Sequence, residues 1–428
     1  MKVRLGSFWI VIALLHFGPE SVTGVYAAEL VEATCNNGTC LDCHGDAGHL
    51  MQVVQPPPAT SDSGCAAAPS RPPFLGAFVN STFTTSLHGQ IGCAGCHGGD
   101  AEAQQAEAAH EGMNPADAGC ATCHQDIAKR HATSLHATLD GMAHALKRRS
   151  GEENFHKLAP MWQEDCASCH ASCSDCHVTL PKAVGGGLIK GHEIFKRPPM
   201  KETCAVCHAS RAGGEYLGHF DGVQADVHFQ AGMHCLDCHK NDLHGDGKSY
   251  SDRWQVTGKP SCTDCHSALP NSSARAHNDK HVDVSCQVCH SQPYQSCFSC
   301  HASVEDGSYV RRTGHKALGF KIGSNTQPGY PYGIVTLRNN PVARDSFAYL
   351  GEGLLPHFDD YPTWKTAAPH NVQRSVPHAR SCRGCHENDA LYLQSGDLDP
   401  VGAAANVKSV LKPESLQKGK PTDRESRR

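Results

Sequence analysis

The sequence predicts a mainly α fold with extensive irregular loops and little β-sheet, and two observations predict it. First, the pattern Cys-x-x-Cys-His occurs eleven times in 428 residues, and in one turn of helix the positions i, i+3 and i+4 share a face. Second, only 6 to 26 residues separate successive copies between His177 and Cys297. Such short connections suit helical turns joined by loops better than paired strands.

The eleven copies use 22 of the 24 cysteines. A chain of this composition would contain roughly 0.1 copy by chance, so the pattern is a specific signal. The copies are Cys40/Cys43/His44, Cys93/Cys96/His97, Cys120/Cys123/His124, Cys166/Cys169/His170, Cys173/Cys176/His177, Cys204/Cys207/His208, Cys235/Cys238/His239, Cys262/Cys265/His266, Cys286/Cys289/His290, Cys297/Cys300/His301 and Cys382/Cys385/His386.

This spacing fits the attachment of c-type haem, in which two thiols form thioethers and the adjacent imidazole becomes an iron ligand. The fourth and fifth copies, within 166–177, are separated by two residues, so two haems are expected to touch there. A zinc site does not require His after every second Cys, and a redox dithiol would occur once.

On these motifs and their density, the chain resembles the multihaem c-type cytochromes of anaerobically respiring bacteria over about residues 35–390. The resemblance implies eleven covalently attached haem c groups, joined to the chain outside the cytoplasmic membrane. With 6% aromatic residues, the ordinary core would be thin, and the apolar macrocycles would supply a haem-packed core. The expected function is relay of electrons along a closely packed haem chain.

The order of motifs predicts six segments. These are a signal peptide at 1–27, a three-motif region at 28–140, a dense seven-motif haem stack at 141–301, a haem-free insert at 302–381, the last motif at 382–400 and a disordered tail at 401–428.

The first 27 residues have a charged start, an apolar run and a small-residue cleavage site, as a secretory signal does. A retained anchor is the alternative, and no later segment is apolar enough to span a membrane. The mature protein is therefore expected in the periplasm or outside the cell. There, Cys35 and Cys65 are expected to form a disulfide, with two free thiols as the alternative.

Local patterns predict a helix capped by Asp100 and running to about His110, a helix across 125–149, and a strand at 334–337. The haem-free insert is open to three interpretations: a docking surface, a spacer, or a cover over the stack. We favour a cover, because exposed macrocycles would form an apolar patch.

The second axial ligand determines whether each haem acts as an electron carrier or as an enzyme site. An iron whose two axial positions are both occupied by side chains is confined to electron transfer. Eighteen histidines remain after the motif histidines and His16 are set aside, whereas the mature chain holds six methionines, so bis-histidine ligation is favoured. The predicted distal ligands are His88, His110, His136, His156, His192, His228, His244, His277, His281, His315 and His370.

Two other functions stay open. A multihaem reductase of nitrite, hydroxylamine or a sulfur oxyanion needs one haem with an open site, although no motif ends in Lys as some nitrite reductases have. A subunit of an extracellular conductive filament is the second alternative. Surface-exposed cytochromes of metal respiration usually add large haem-free β domains, and one 80-residue gap cannot supply two, so no direct resemblance to them is expected.

The net charge of the chain indicates which classes of partner it can bind. The formal charge is −5, or −6 without the signal segment, and haem propionates would add to it. Nucleic acid and anionic membrane surfaces are therefore excluded as partners. Other redox proteins are expected instead, either cytochromes or membrane quinol-linked oxidoreductases, together with a possible homo-oligomer.

Overall fold

The computed structural model describes most of the chain between residues 40 and 411 and divides it into two compact units. The first comprises 1–139, 166–207 and 242–249, and the second comprises 140–165, 208–241 and 250–428. The described residues are 8–12, 26–30, 40–54, 72–114, 116–163, 171–181, 186–240, 243–269, 276–277, 279–293, 295–298, 302–305, 308–311, 314–317, 320–340, 344–398 and 403–411.

Short helices dominate, and most are single turns. They are α1 (Cys40–His44), α2 (Ala47–Val53), α3 (Ser81–Thr84), α4 (Cys93–His97), α5 (Ala106–His110), α6 (Ala116–Cys123), α7 (Gln125–His131), α8 (Leu135–Thr138), α9 (Asp140–Ser150), α10 (Glu152–Phe155), α11 (Ala159–Met161), α12 (Cys173–His177), α13 (Cys204–Cys207), α14 (Gly214–Leu217), α15 (Val227–Gln230), α16 (Cys235–Cys238), α17 (Cys286–His290) and α18 (Cys382–His386).

Strands are few and short. They are β1 (Phe8–Ile12), β2 (Tyr26–Leu30), β3 (Gln295–Phe298), β4 (Ala302–Glu305), β5 (Ser308–Arg311), β6 (Gly314–Ala317), β7 (Lys321–Ser324), β8 (Ile334–Asn339) and β9 (Trp364–Thr366). They pair as β1–β2, β3–β6, β4–β5 and β7–β8–β9, all antiparallel. The predicted mainly α fold with extensive loops and little β-sheet is confirmed.

Motif helices pack directly on one another in the first unit, where α6 contacts both α4 and α12. Gly119 permits the α4–α6 approach, because a Cβ there would lie 2.4 Å from the Cys96 carbonyl oxygen. A small apolar cluster of Leu180 and Ile189, packed by Phe195 and Val206, is the modest ordinary core of this unit.

The second unit has a larger apolar core, built around β7–β8–β9. Val335 and Leu337 of β8 are fully buried with Leu393 at their side, and Ile322 of β7 packs toward Val288 of α17. The strand predicted at 334–337 lies within β8. The haem-free insert thus contains a sheet that packs against a motif helix, as a cover requires, although its role stays a prediction.

Two local helix predictions need correction. The helix ending at His110 begins at Ala106 with Gln105 as its N-cap, not at Asp100. The helix predicted across 125–149 is broken into α7, α8 and α9, and Leu139 ends α8 in a left-handed conformation with φ 57°. A left-handed residue cannot continue a right-handed helix.

Part of the predicted disordered tail is ordered. Residues 404–409 form a 3₁₀ helix, and Asn406 and Ser409 are buried. The Asn406 side chain accepts hydrogen bonds from the backbone N–H groups of Thr363 and Trp364 at 2.7 and 3.0 Å, which ties the segment to β9. Residues 412–428 lie outside the described residues, as does the predicted Cys35–Cys65 disulfide. Within the described residues, no helix combines the length and apolar character that a membrane crossing demands.

Candidate haem-ligating site

Most described motifs adopt the helical turn that their spacing predicts. Helices α1, α4, α12, α17 and α18 each run from the first Cys to the His of one motif. In α12 a capping box stabilises the turn, since Ser172 N–H donates to Asp175 Oδ2 at 2.9 Å and Asp175 N–H donates to Ser172 Oγ at 3.3 Å. Because the turn is helical, both thiols and the imidazole face the same side.

Eight motif histidines each face one of the predicted distal histidines. The ring centroids of these pairs lie 5.7–6.3 Å apart. In the first unit the pairs are His44–His110, His97–His192, His124–His88 and His177–His244. In the second unit they are His239–His370, His266–His228, His290–His277 and His386–His281.

This separation is the one that a shared metal ion requires. A bond of about 2 Å from metal to imidazole nitrogen, plus roughly 1 Å from that nitrogen to the ring centre, places two axial rings about 6 Å apart. In the His97–His192 pair the Nε2 atoms face each other at 3.4 Å, close to the distance of about 4 Å expected across an iron. The donor set therefore fits bis-histidine haem iron.

Several of these rings are oriented through their other nitrogen, as metal-ligating imidazoles usually are. His44 Nδ1 lies 2.8 Å from the Ala77 carbonyl oxygen, and His290 Nδ1 lies 3.0 Å from that of Gln373. With Nδ1 engaged in this way, Nε2 of each ring is the nitrogen that would ligate iron. Comparable Nδ1 contacts join His177 to Phe195 at 2.5 Å, His370 to Ala368 at 2.8 Å and His228 to the Asp226 carboxylate at 2.8 Å.

Burial keeps several of these imidazoles neutral, which is the form that binds metal. Burial lowers the pKa of His97, and the nearby His44 adds to the effect. The pKa values of His110, His192 and His281 are lowered in the same way, mainly by burial.

His88 lines a cleft of ≈ 390 Å³. The other residues that line this cleft are Thr82, Phe83, Ser86, Lys190, Glu193 and Ile194.

The thiols of successive motifs lie close together in the first unit. Cys93 is hydrogen-bonded to Cys40, and Cys120 to Cys173. Burial, together with the thiols of Cys120 and Cys123, raises the pKa of Cys96. The first, second, third and fifth motifs are thereby linked in series.

A second series runs through the other unit. Cys262 is hydrogen-bonded to Cys286. Burial and Cys265 raise the pKa of Cys238, and burial and Cys385 raise the pKa of Cys289 to about 11. The seventh, eighth, ninth and eleventh motifs are therefore neighbours.

His208 of the sixth motif departs from the predicted geometry. Helix α13 ends at Cys207, and the His208 carbonyl accepts from Gly213 N–H at 2.9 Å in the π-helical turn that follows. Its side chain is exposed, and the division between the two compact units falls between Cys207 and His208. Because the α-helical turn stops one residue early, the helix does not itself fix this imidazole on the side of the two thiols. Axial ligation by His208 therefore stays a prediction.

Two other motif helices, α6 and α16, also end at the second Cys. The histidines that follow them, His124 and His239, are exposed as His208 is. Each of these two nevertheless faces a predicted distal ring, His88 and His370 respectively. An early helix end is thus compatible with the paired arrangement.

The remaining predicted ligands divide into three groups. His136 is exposed by surface area, although partial desolvation of its ring lowers its pKa, and its backbone carbonyl accepts from Ala171 N–H beside the fourth motif. His156 is exposed on a 3₁₀ turn. The fourth motif (Cys166, Cys169, His170), Cys300 and His301 lie outside the described residues, and for Cys297 and His315 only the backbone is described.

Cys43 is disulfide-bonded in this structure, and its thioether to haem stays a prediction. A sulfur in a disulfide cannot form a thioether, so haem attachment at the first motif requires that this bond be reduced.

Three buried polar groups were missed by sequence reasoning. Asp226 contacts His228, and Glu215 pairs with Arg338 while accepting from His370 N–H at 2.9 Å. His378, which is not among the predicted distal ligands, directs Nε2 at the Val288 carbonyl oxygen at 2.9 Å. The Asp-x-His spacing at 226–228 was a visible signal, whereas Glu215 had none.

Comparison with known proteins gives partial matches. Residues 89–250 match the family model described as outer membrane cytochrome MtrC/MtrF-like, domains II/IV. The multiheme cytochrome MtrA of Shewanella baltica is 25% identical over 206 residues, which cover 42% of this chain and 57% of that protein. An uncharacterized protein of Archaeoglobus fulgidus is 27% identical over 124 residues, which cover 22% of this chain and 41% of that protein. No solved structure matches.

Together with the attachment motifs, these partial matches support a likeness to multihaem c-type cytochromes. More particularly, residues 89–250 are similar to a domain of outer-membrane cytochromes, which runs against the expectation of no direct resemblance to surface-exposed cytochromes. The matched regions span about half the length of the relatives.

Proposed function

We propose that this chain is an exported cytochrome that carries eleven haem c groups and relays electrons along them. The observation that supports it best is the set of eight facing histidine pairs, each joining a motif histidine to one predicted distal ligand. Haem supplies a one-electron iron couple when bound. If two histidines of the chain ligate each iron, no position is open for substrate. Electron transfer would therefore be favoured over substrate binding.

The chain's own residues have four tasks in this proposal. The motif cysteines would hold each group covalently, and the paired imidazoles would ligate its iron. Carbonyl acceptors such as those of Ala77 and Gln373 hold the rings in one orientation. Packing of successive motifs, through Gly119 in the first unit, keeps neighbouring sites close.

Location and partners follow from the same residues. The predicted secretory signal at 1–27 and the matches to MtrA and MtrC/MtrF-like cytochromes support a periplasmic or extracellular location. A chain with formal charge −5 suits a basic face on a redox partner, either another cytochrome or a quinol-linked oxidoreductase. Assembly into a filament is not needed for this function.

The haem count is tested by the mass of the denatured holoprotein. Thioether-bound haem stays with the chain, so the mass gain is expected to equal eleven haems, and a double substitution Cys204→Ala/Cys207→Ala is expected to remove one. Cys65→Ala is the matched control and is expected to remove none, because Cys65 lies outside every motif. A gain of fewer than eleven haems in the parent would overturn the count.

The reductase alternative is tested in the same preparation. Turnover of nitrite, hydroxylamine or a sulfur oxyanion at a rate tied to one haem would favour it, whereas oxidation of the reduced protein only by redox proteins supports the relay.

A further inference from the structure

Asp226 is a buried carboxylate at the start of α15, with 2% of its surface exposed. Its Oδ1 accepts hydrogen bonds from His228 N–H and His228 Nδ1–H, both at 2.8 Å. Its Oδ2 accepts from Val372 N–H at 2.7 Å. All three contacts are with N–H donors, which is the pattern that an ionised carboxylate satisfies best.

The ring held by Asp226 is one of the paired imidazoles, since His228 faces His266 with a centroid separation of 6.1 Å. His44, His177, His290 and His370 differ, because Nδ1 of each contacts a neutral backbone carbonyl. His228 therefore has a negatively charged acceptor where these other rings have a neutral one.

An acceptor with a full negative charge draws the Nδ1 proton more strongly than a carbonyl does, so the opposite nitrogen becomes a stronger electron donor. A stronger donor stabilises ferric over ferrous iron. The buried charge acts in the same direction, because low dielectric weakens its screening and the oxidised site carries one more positive charge.

We propose that Asp226 lowers the reduction potential of the haem held by Cys262, Cys265, His266 and His228. The proposal rests on the proposed function, since it requires these two histidines to be axial ligands. The eighth motif lies between the seventh and ninth through the Cys238–Cys265 and Cys262–Cys286 neighbours. Asp226 would thus lower the reduction potential of one haem that lies between two others in the second unit.

The test is a spectropotentiometric titration of the full holoprotein carrying Asp226→Asn. Asparagine keeps the N-cap and an acceptor for His228 but removes the charge. We expect the equilibrium constant for reducing one haem to rise by about tenfold, which is about 59 mV for a one-electron couple. Asp221→Asn is the matched control, because the same change is made five residues away on an exposed side chain, and it is expected to shift no potential.

Two further variants keep the outcome decisive. If Asp226→Asn lowers helix content, Asp226→Ser replaces it, since serine also caps helices and carries no charge. His228→Gly should turn one haem high-spin. If it does not, the axial assignment fails, and with it the basis of the proposal. If it does, and neither uncharged variant shifts a potential beyond the Asp221→Asn control, only the role of Asp226 is overturned.

Discussion

Substitution of His192 by glycine tests whether the His97–His192 pair ligates a haem iron. His192 faces His97 with its Nε2 at 3.4 Å, and it adopts φ 69°, a left-handed conformation that glycine accepts more easily. Relief of that conformation is worth about 1–3 kcal/mol. Loss of the ring contact with Phe83, whose centroid lies 4.4 Å away, costs about 0.5–1.5 kcal/mol.

Because these two terms offset each other, His192→Gly is expected to fold and to lose chiefly a ligand. One haem among the set should then change from low-spin to high-spin in electron paramagnetic resonance of the oxidised protein, and added imidazole should reverse the change. His219→Gly serves as control, since His219 is exposed and is not among the predicted ligands. A spectrum that stays wholly low-spin in the folded variant would refute the assignment of His192.

Three further changes probe stability and packing. Glu215→Gln breaks the ion pair between the fully buried Glu215 and the partly buried Arg338 and should cost about 3–5 kcal/mol in urea unfolding. An unchanged midpoint would count against a structural role. Gly119→Ala forces a Cβ to within 2.4 Å of the Cys96 carbonyl and should cost about 1–3 kcal/mol, whereas Gly396→Ala, with nothing within 4 Å, should cost far less. Chain made without haem should lack most of its helical circular dichroism, and a native-like spectrum would contradict a haem-packed core.

Sequence reasoning went furthest where the chemistry is local. The attachment motif sets its own helical turn, so the positions of α4, α12 and α17 could be predicted from spacing. The shortage of methionine pointed to histidine as second ligand, and eight of the predicted distal histidines face a motif ring. His88 and His281 each face the histidine of a later motif than the one that they precede in the chain.

The same local rule fell short at His208. The motif spacing predicts a turn that includes the histidine, but the spacing alone does not determine the residue at which the helix ends. There the backbone passes from α13 into a π-helical turn, and the imidazole is exposed.

Long-range contacts could not be predicted from sequence. Asp226 reaches Val372 across 146 positions, and Arg338 reaches Glu215 across 123. The ordered 3₁₀ helix at 404–409 was missed because residues 401–428 contain no aromatic residue, while its burial depends on the contact of the Asn406 side chain with β9. The break at Leu139 was missed because apolar spacing continues through it.

If two side chains of the protein ligate the iron of every haem, each haem transfers electrons without binding substrate. Quantitative low-temperature electron paramagnetic resonance of the oxidised holoprotein tests this most directly. We expect low-spin ferric signals that together account for all eleven haems. A high-spin ferric haem in the native protein would contradict it and would mark an open site of the kind that a reductase needs.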